Sequence, residues 1–151
     1  MDHQDIQQQV LIEQAILAHV VSALRTTLSW KVREYDFSRK LSSLLFVCES
    51  FQRHLKRLLR LEQSEGYMAV VLDSRPELSD EVRGLRRYHT EFRKKLREIL
   101  ARLRSVAHTD LAGFTQTSTE LEMLLDRLDE HHRHEAALLQ EALLRDEGGE
   151  G

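Results

Sequence analysis

The sequence predicts an all-α domain, an antiparallel up-down-up-down four-helix bundle. Its 151 residues are 41% hydrophobic and 31% charged, a balance typical of a globular helical protein. Helix-breaking residues are rare, since the only proline is Pro76 and no glycine precedes Gly66. The long segments between these breaks carry apolar residues at heptad-like spacing, which indicates helices that pack side by side. We therefore expect one domain over residues 1–146 and a flexible tail over 147–151.

The first two helices are expected to be separated by a short turn. Helix A is predicted from about Asp5 to the low thirties. Helix B is predicted from about Ser38 to Glu65, with Asp36 or Ser38 as its N-cap. Gly66 then ends helix B, because glycine is favoured just beyond a helix C-terminus.

The second pair of helices follows a connector over residues 67–78. Ser79, with two acidic residues behind it, provides an N-cap and a favourable first turn for helix C, which continues to about Val106. Residues 109–113 carry the next turn signals, including a glycine. Helix D is then predicted to run to about Asp146.

Polar residues interrupt the apolar stripe of every predicted helix. In helix A, the stripe is predicted to be Ile12, Ile16, His19 and Ala23. Titratable side chains are rarely found at fully buried positions, so the presence of at least one in each of the four predicted stripes is unusual. The residues concerned are His19 in helix A, Glu62 in helix B, His89 in helix C, and His131 and Glu135 in helix D.

These polar residues are expected to lie at a similar height in the bundle. In an up-down bundle, residues on consecutive helices are level when the turn lies midway between them. The midpoint of Glu62 and His89 falls beside Pro76 in the connector, and the midpoint of His89 and His131 falls at Asp110 in the last turn. The midpoint of His19 and Glu62 falls a few residues beyond the first turn, so this pair is slightly out of level. We therefore predict one polar layer in the core.

A layer of buried carboxylates and imidazoles requires compensation, because each unpaired group costs several kcal/mol in a low-dielectric core. A divalent metal is the simplest partner. His131 and Glu135 are one helical turn apart and can ligate the same cation, although this spacing alone is common in helices. The alternative is a metal-free network in which His19 and His89 are paired with the glutamates. Both interpretations remain open from the residues alone.

Four segments are similar to the hemerythrin-like, or HHE cation-binding, family. They are LAHVVSALR in helix A, RLEQSEGYM in helix B, LRRYHTEF in helix C and HHRHEAALLQEALLRDEGG in helix D. Members of this family are four-helix bundles that hold a non-heme di-iron centre near one end of the core. The resemblance covers nearly the whole chain. It implies ligand positions for His19, Glu62, His89, His131 and Glu135, with the two glutamates at the bridging positions.

The chain also departs from the family pattern. Leu58 stands where helix B of the family carries a histidine, and Arg93 stands where full hemerythrins carry a second helix C histidine. His54 lies one turn before Leu58 and would reach the site only if the register were shifted. A di-iron centre completed by water, a single metal ion and no metal all remain open. Reversible dioxygen carriage, which uses histidine-rich coordination, is not favoured.

Several other classes of function lack their motifs. No nucleophile–base pair, glycine-rich phosphate loop or CxxC motif is present, so an enzyme is not indicated. The basic run of helix C lacks interleaved aromatic residues, and we expect a solvated face paired with acidic helix D rather than a nucleic-acid site. No apolar run approaches the roughly 20 residues that cross a bilayer. Cys48 has no cysteine partner and an apolar neighbourhood, which favours a buried, unreactive thiol.

The sequence therefore predicts a hemerythrin-like non-heme iron protein, with a di-iron centre as the leading expectation and without a nucleic-acid or membrane partner. We expect it to act in oxygen or redox sensing or in iron handling, with a metal ion and dioxygen as ligands. The acidic, amide-rich N-terminus lacks the basic character of a signal peptide, which predicts a cytoplasmic location. The alternative is a degenerate, metal-free helical bundle that acts as an interaction or regulatory module.

Overall fold

The computed structural model describes residues 3–33, 37–64 and 67–148, which form an all-α structure without a β-strand. The helices within these ranges are α1 (His3–Leu28), α2 (Ser38–Ser64), α3 (Tyr67–Ser74), α4 (Ser79–Ser105) and α5 (Leu111–Gly148), with a 3-10 turn at Pro76–Leu78. The four long helices α1, α2, α4 and α5 correspond to predicted helices A to D.

Helix α3 corrects the prediction of a connector over residues 67–78. The segment is short and apolar, and Met68 and Val71 are buried against α4 and α5. Burial of these side chains stabilises the helix. The turn-forming residues of the segment do not indicate this burial. The 3-10 turn that follows begins at Pro76, where a proline ring is tolerated because the first helical N–H needs no partner.

The start of α5 corrects the role predicted for Gly113. This residue lies in the first turn of the helix, where its N–H donates to Asp110 Oδ1 at 3.0 Å. Asp110 is therefore the residue that caps α5. A Cβ atom at position 113 would collide with the Asp110 carboxylate, so glycine is needed for the close approach of the cap. The predicted residues Asp36, Glu65 and Gly66 lie outside the described residues.

The long helices pack around a large apolar core. Contacts are most extensive between α1 and α2, and further contacts join α2 to α4, α4 to α5, and α1 to α5. The centre of the core is filled by side chains from all four long helices, among them Leu17, Leu24, Leu44, Phe51, Leu96, Ile99, Leu121 and Leu125. A second, smaller cluster is formed by Met68, Val71, Val82, Leu85 and Leu138.

Lys40 joins the end of α1 to the start of α2. Its buried ammonium donates to the carbonyl oxygens of Leu28 and Trp30, each at 2.8 Å. The last carbonyl groups of a helix have no partner within the helix, so this contact caps α1 and places a positive charge at the negative end of its dipole. The same ammonium lies 5.9 Å from the ring centroid of Phe114 in α5. One lysine thus connects three of the long helices.

Two smaller predictions can be compared with the structure. Cys48 is fully buried, as predicted, and burial raises the pKa of its thiol to about 12. None of the helices in the described ranges is long and apolar enough to cross a membrane. The cytoplasmic location remains a prediction.

Candidate metal centre

Three candidate ligands converge where α4 and α5 pack together. His89 of α4 and His131 of α5 approach each other through their Nε2 atoms, which are 2.8 Å apart. Glu135 Oε2 lies 3.6 Å from His131 Nε2 and 3.9 Å from His89 Nε2. All three residues are buried, with exposed fractions of 2%, 7% and 5% for His89, His131 and Glu135. The structure thus brings together His89, His131 and Glu135, which were predicted to lie in one polar layer.

The spacing of these atoms is close to that of ligands on one metal ion. Donors bound at about 2.1 Å lie roughly 3.0 Å apart in an octahedral arrangement and roughly 3.4 Å apart in a tetrahedral one. The 2.8 Å separation of the imidazole nitrogens is slightly shorter, and the carboxylate distances are slightly longer. Small side-chain adjustments would therefore place all three donors on one ion. Two imidazoles and one carboxylate form a ligand set that suits iron and related transition metals.

Glu62 of α2 lies beside this cluster. It is only 1% exposed, and its carboxyl group contacts the carboxyl group of Glu135 and the side chain of Gln14 in α1. Among the described residues, neither Glu62 oxygen nor Glu135 Oε1 has a well-formed hydrogen bond. Buried oxygen atoms in this state are rare in folded proteins. The donor set therefore has unsatisfied oxygen atoms that fit a bound cation.

The pKa of Glu62 is raised to about 9. Burial raises it most, and the neighbouring carboxyl group of Glu135 raises it further. Burial also raises the pKa of Glu135. No lysine or arginine is among the groups that shift either carboxyl. In the metal-free protein at neutral pH, the pair therefore retains a proton.

The pKa values of the two imidazoles are shifted in the opposite direction. Burial, with a smaller contribution from neighbouring histidines, lowers the pKa of His89 to about 4 and that of His131 to about 3. Both rings are therefore neutral at physiological pH, and each offers one nitrogen lone pair. Neutral imidazole is the form that binds metal ions.

Gln63 controls which nitrogen of His89 carries the proton. Its side-chain Nε2 donates to His89 Nδ1 at 3.2 Å. This contact places the proton of His89 on Nε2, from which it can be donated to His131 Nε2. Coordination of a metal by His89 Nε2 requires the proton on Nδ1 instead. Rotation of the Gln63 amide by half a turn would present its oxygen to that Nδ1–H group.

Tyr88 packs on the face of His131. The two rings are stacked, with centroids 4.0 Å apart and an interplanar angle of 13°. The Tyr88 hydroxyl is buried without a hydrogen-bond partner among the described residues. The stacked ring limits rotation of the His131 imidazole and holds its Nε2 toward His89.

Apolar side chains enclose the polar layer along the bundle axis. Leu85 and Leu138, each about one turn from a candidate ligand, belong to the smaller apolar cluster, which includes Met68 and Val71 of α3. On the other side, Phe92 and Leu128 belong to the main core. The candidate ligands therefore lie between two apolar clusters in a poorly hydrated environment, where electrostatic interactions with a cation are strong.

The structure does not bring His19 to this site. His19 is exposed, and Ile12 of the predicted stripe is 58% exposed, so the predicted inward face of helix A is wrong. The buried face of α1 instead carries Val10, Leu17 and Leu24. Both faces have heptad-like spacing because α1 is apolar around most of its circumference. The polar side chain that α1 contributes to the layer is Gln14, beside Glu62.

The residue that stands where the hemerythrin-like family carries a helix B histidine is apolar. Leu58 is fully buried in the main core. His54, one turn earlier, is directed to a different partner, since its Nδ1 lies 3.3 Å from Glu13 Oε2 of α1. Arg57 Nε also contacts Glu13, at 3.0 Å. The register shift that would move His54 to the candidate site is therefore absent.

Comparison of the chain with known protein families, curated proteins and solved structures finds no match. The geometry of the site and the resemblance of four sequence segments to the hemerythrin-like family are therefore the observations that bear on function.

Proposed function

We propose that this protein is a hemerythrin-like metal-binding protein that holds one non-heme iron ion between α4 and α5. His89 and His131 would supply nitrogen, and Glu135 would supply oxygen. Glu62 would be the additional oxygen donor beside them. The observation that carries the proposal is the convergence of two neutral Nε2 atoms and one carboxylate within 4.8 Å of one another, in a buried layer.

We also propose that the long helices form an antiparallel up-down-up-down bundle. The contacts of α1 with α2, α2 with α4, α4 with α5, and α5 with α1 support this arrangement. The short connections between α1 and α2 and between α4 and α5 also support it, because adjacent helices joined by short loops are normally antiparallel.

A single ion is favoured over a di-iron pair by the ligands that are missing. His19 is exposed, and Leu58 offers no donor atom at the position where the family has a histidine. The described residues contain one group of three or more candidate ligands close enough to share an ion. The second iron of a hemerythrin-like centre would therefore lack nitrogen ligands.

Iron is proposed because mixed imidazole and carboxylate donors suit ferrous iron, manganese and zinc, and because of the resemblance to a non-heme iron family. Three or four protein ligands leave coordination positions of an octahedral ion open to a small molecule. An open position in an apolar layer supports a role in dioxygen or redox sensing, or in iron handling. The bound ion would supply the redox chemistry, while the protein residues would hold it, orient its ligands and exclude water.

The proposal is tested by loading the full chain, after treatment with a chelator, with ferrous iron under anaerobic conditions. Elemental analysis is expected to find about one iron per chain in the wild type and a large loss in His131→Ala. Matched controls are His19→Ala and His134→Ala, which remove exposed histidines. These controls are expected to retain the iron.

Two outcomes would contradict the proposal. About two ions per chain would support the di-iron centre instead. No bound iron, manganese or zinc in the wild type would favour the alternative function, a metal-free bundle that acts as an interaction or regulatory module.

A further inference from the structure

A basic groove lies between α2 and α4, away from the buried histidines. Its volume is about 320 Å³. Leu55 and Leu96, both almost fully buried, form its apolar floor. Four cationic side chains line it, namely Arg53 and Lys56 from α2 and Arg93 and Arg97 from α4.

The charges in this groove are not compensated by the part of the protein that the structure describes. No aspartate or glutamate of the described residues lines the groove. Like charges one helical turn apart destabilise a helix, and here two such pairs, Arg53 with Lys56 and Arg93 with Arg97, face each other across the groove. The arrangement therefore costs folding free energy that a bound anion would recover.

The expected pairing of the basic face of α4 with acidic helix D does not account for these charges. Arg102 of α4 pairs with Glu120 of α5, but Arg102 lies beyond the basic run of helix C, which spans residues 83–97. Arg104 pairs with Glu49 of α2 at 3.3 Å, and Arg83 pairs with Asp80 within α4 at 3.1 Å. Within the part of the chain that the structure describes, none of the four groove cations forms an ion pair, so they are available to a partner outside the chain.

We propose that this groove binds a small anion that carries two or more phosphate groups. Its volume lies at the lower end of the range for small-molecule sites, roughly 300–1,000 Å³. Three of its four cations are arginines, whose planar guanidinium groups bind phosphate oxygens through paired hydrogen bonds. A single phosphate cannot contact cations from both helices as effectively as a di- or triphosphate.

Small phosphate ligands are favoured over nucleic acid, because the residues that line the groove include no aromatic side chain on which a base could stack. Arg93 is one helical turn from His89, so a bound polyanion would lie near the metal centre without sharing its ligands.

Isothermal titration calorimetry of the metal-free full chain with inorganic triphosphate tests this proposal. Removing the metal beforehand ensures that chelation of a bound ion by triphosphate does not contribute heat. One saturable site per chain is expected at about 0.1 M salt, with weaker binding of pyrophosphate and much weaker binding of orthophosphate. This order follows from the number of phosphate groups that can reach cations on both helices.

Substitutions of the groove cations test whether triphosphate binds in the groove. Arg97→Gln and Lys56→Gln are each expected to weaken triphosphate binding about tenfold, the loss of one charge-assisted contact worth about 1.4 kcal/mol. The control is Lys94→Gln, which removes the same charge from an exposed position of α4 outside the groove. Its affinity should remain within about twofold of the wild type. All three substitutions are at exposed positions and are expected to leave folding intact.

Three results would overturn the proposal. The first is the absence of saturable binding at millimolar triphosphate. The second is an equal loss of affinity in Lys94→Gln and in the groove variants, which would indicate general charge attraction. The third is tighter, groove-dependent binding of a single-stranded oligonucleotide than of triphosphate, which would identify nucleic acid as the occupant.

Discussion

Two buried carboxyl groups in this protein have opposite surroundings. Glu13 of α1 is 3% exposed and contacts both His54 and Arg57. Glu62 of α2 is 1% exposed and contacts a second carboxyl group, that of Glu135. The first carboxylate is neutralised by a cation from the protein itself, so it can serve as a structural ion pair. The second is not, and this difference is the physical reason to assign Glu62 to an external cation.

The largest expected effect is on the stability of the metal-free protein. Glu62→Leu removes a buried carboxyl group without a cationic partner, and it is expected to raise the free energy of unfolding by about 2 kcal/mol. Glu13→Leu leaves Arg57 and His54 without their carboxylate, and it is expected to lower that energy by about 1 kcal/mol. Urea unfolding of both variants in the presence of a chelator measures the difference. A lower free energy of unfolding in Glu62→Leu than in the wild type would contradict the assignment of Glu62 to an external cation.

A smaller effect is expected at Gln63, which holds His89 through its Nδ1 atom. Gln63→Leu removes the acceptor that the metal-bound tautomer needs, and it is expected to weaken ferrous iron binding about tenfold. Gln63→Glu supplies a stronger acceptor and should retain or increase affinity. Gln116→Leu, at an exposed position of α5, is the control. Equal affinities in the wild type and Gln63→Leu would contradict a positioning role while leaving the metal site itself in place.

The smallest effect is a change in the pH dependence of stability. The folded-state pKa of Glu62 is raised to about 9, so between about pH 4.5 and pH 9 the folded protein holds a proton at this group that the unfolded chain has lost, and the contribution of Glu62 to stability falls as pH rises through that range. The folded-state pKa values of His89 and His131 are lowered to about 4 and about 3, so stability should also fall as pH drops below about 6.5. Metal-free protein should therefore be most stable near pH 6.5.

Metal binding is expected to remove the fall in stability above about pH 6.5. A bound cation holds both carboxyl groups in their charged form, so the folded state no longer carries the extra proton. The alkaline slope in metal-free protein should not exceed about 1.4 kcal/mol per pH unit, the contribution of one proton. Thermal unfolding between pH 6.5 and pH 8.5, with and without ferrous iron, measures it. An identical slope in both forms would show that Glu62 does not respond to the metal.

The success of sequence reasoning differed between helices for a physical reason. In α4, an apolar stripe faces a strongly basic opposite side, and the heptad-spaced residues of this stripe are all buried, namely Val82, Leu85, His89, Phe92, Leu96, Ile99 and Leu103. In α1, between Asp5 and Arg25, the only charged residue is Glu13. Periodicity cannot choose between two apolar faces, and the prediction for His19 was wrong for that reason.

Other parts of the site depend on information that periodicity does not contain. Gln63 and Tyr88 are sequence neighbours of Glu62 and His89, but their roles depend on side-chain directions and on the packing of one helix against another. Helix α3 was missed because eight residues carry too little periodic signal, and its burial depends on Leu85 and Leu138 from distant positions. These features follow from tertiary packing rather than from local sequence pattern.

The contact of Lys40 with the end of α1 has a consequence for how that helix end is encoded. The segment between α1 and α2, residues 29–37, contains neither glycine nor proline. The carbonyl groups of Leu28 and Trp30 are instead satisfied by an ammonium from the following helix. The stabilisation of the end of α1 is thus encoded downstream of it, and a replacement such as Lys40→Met would remove that stabilisation while leaving every residue of α1 unchanged.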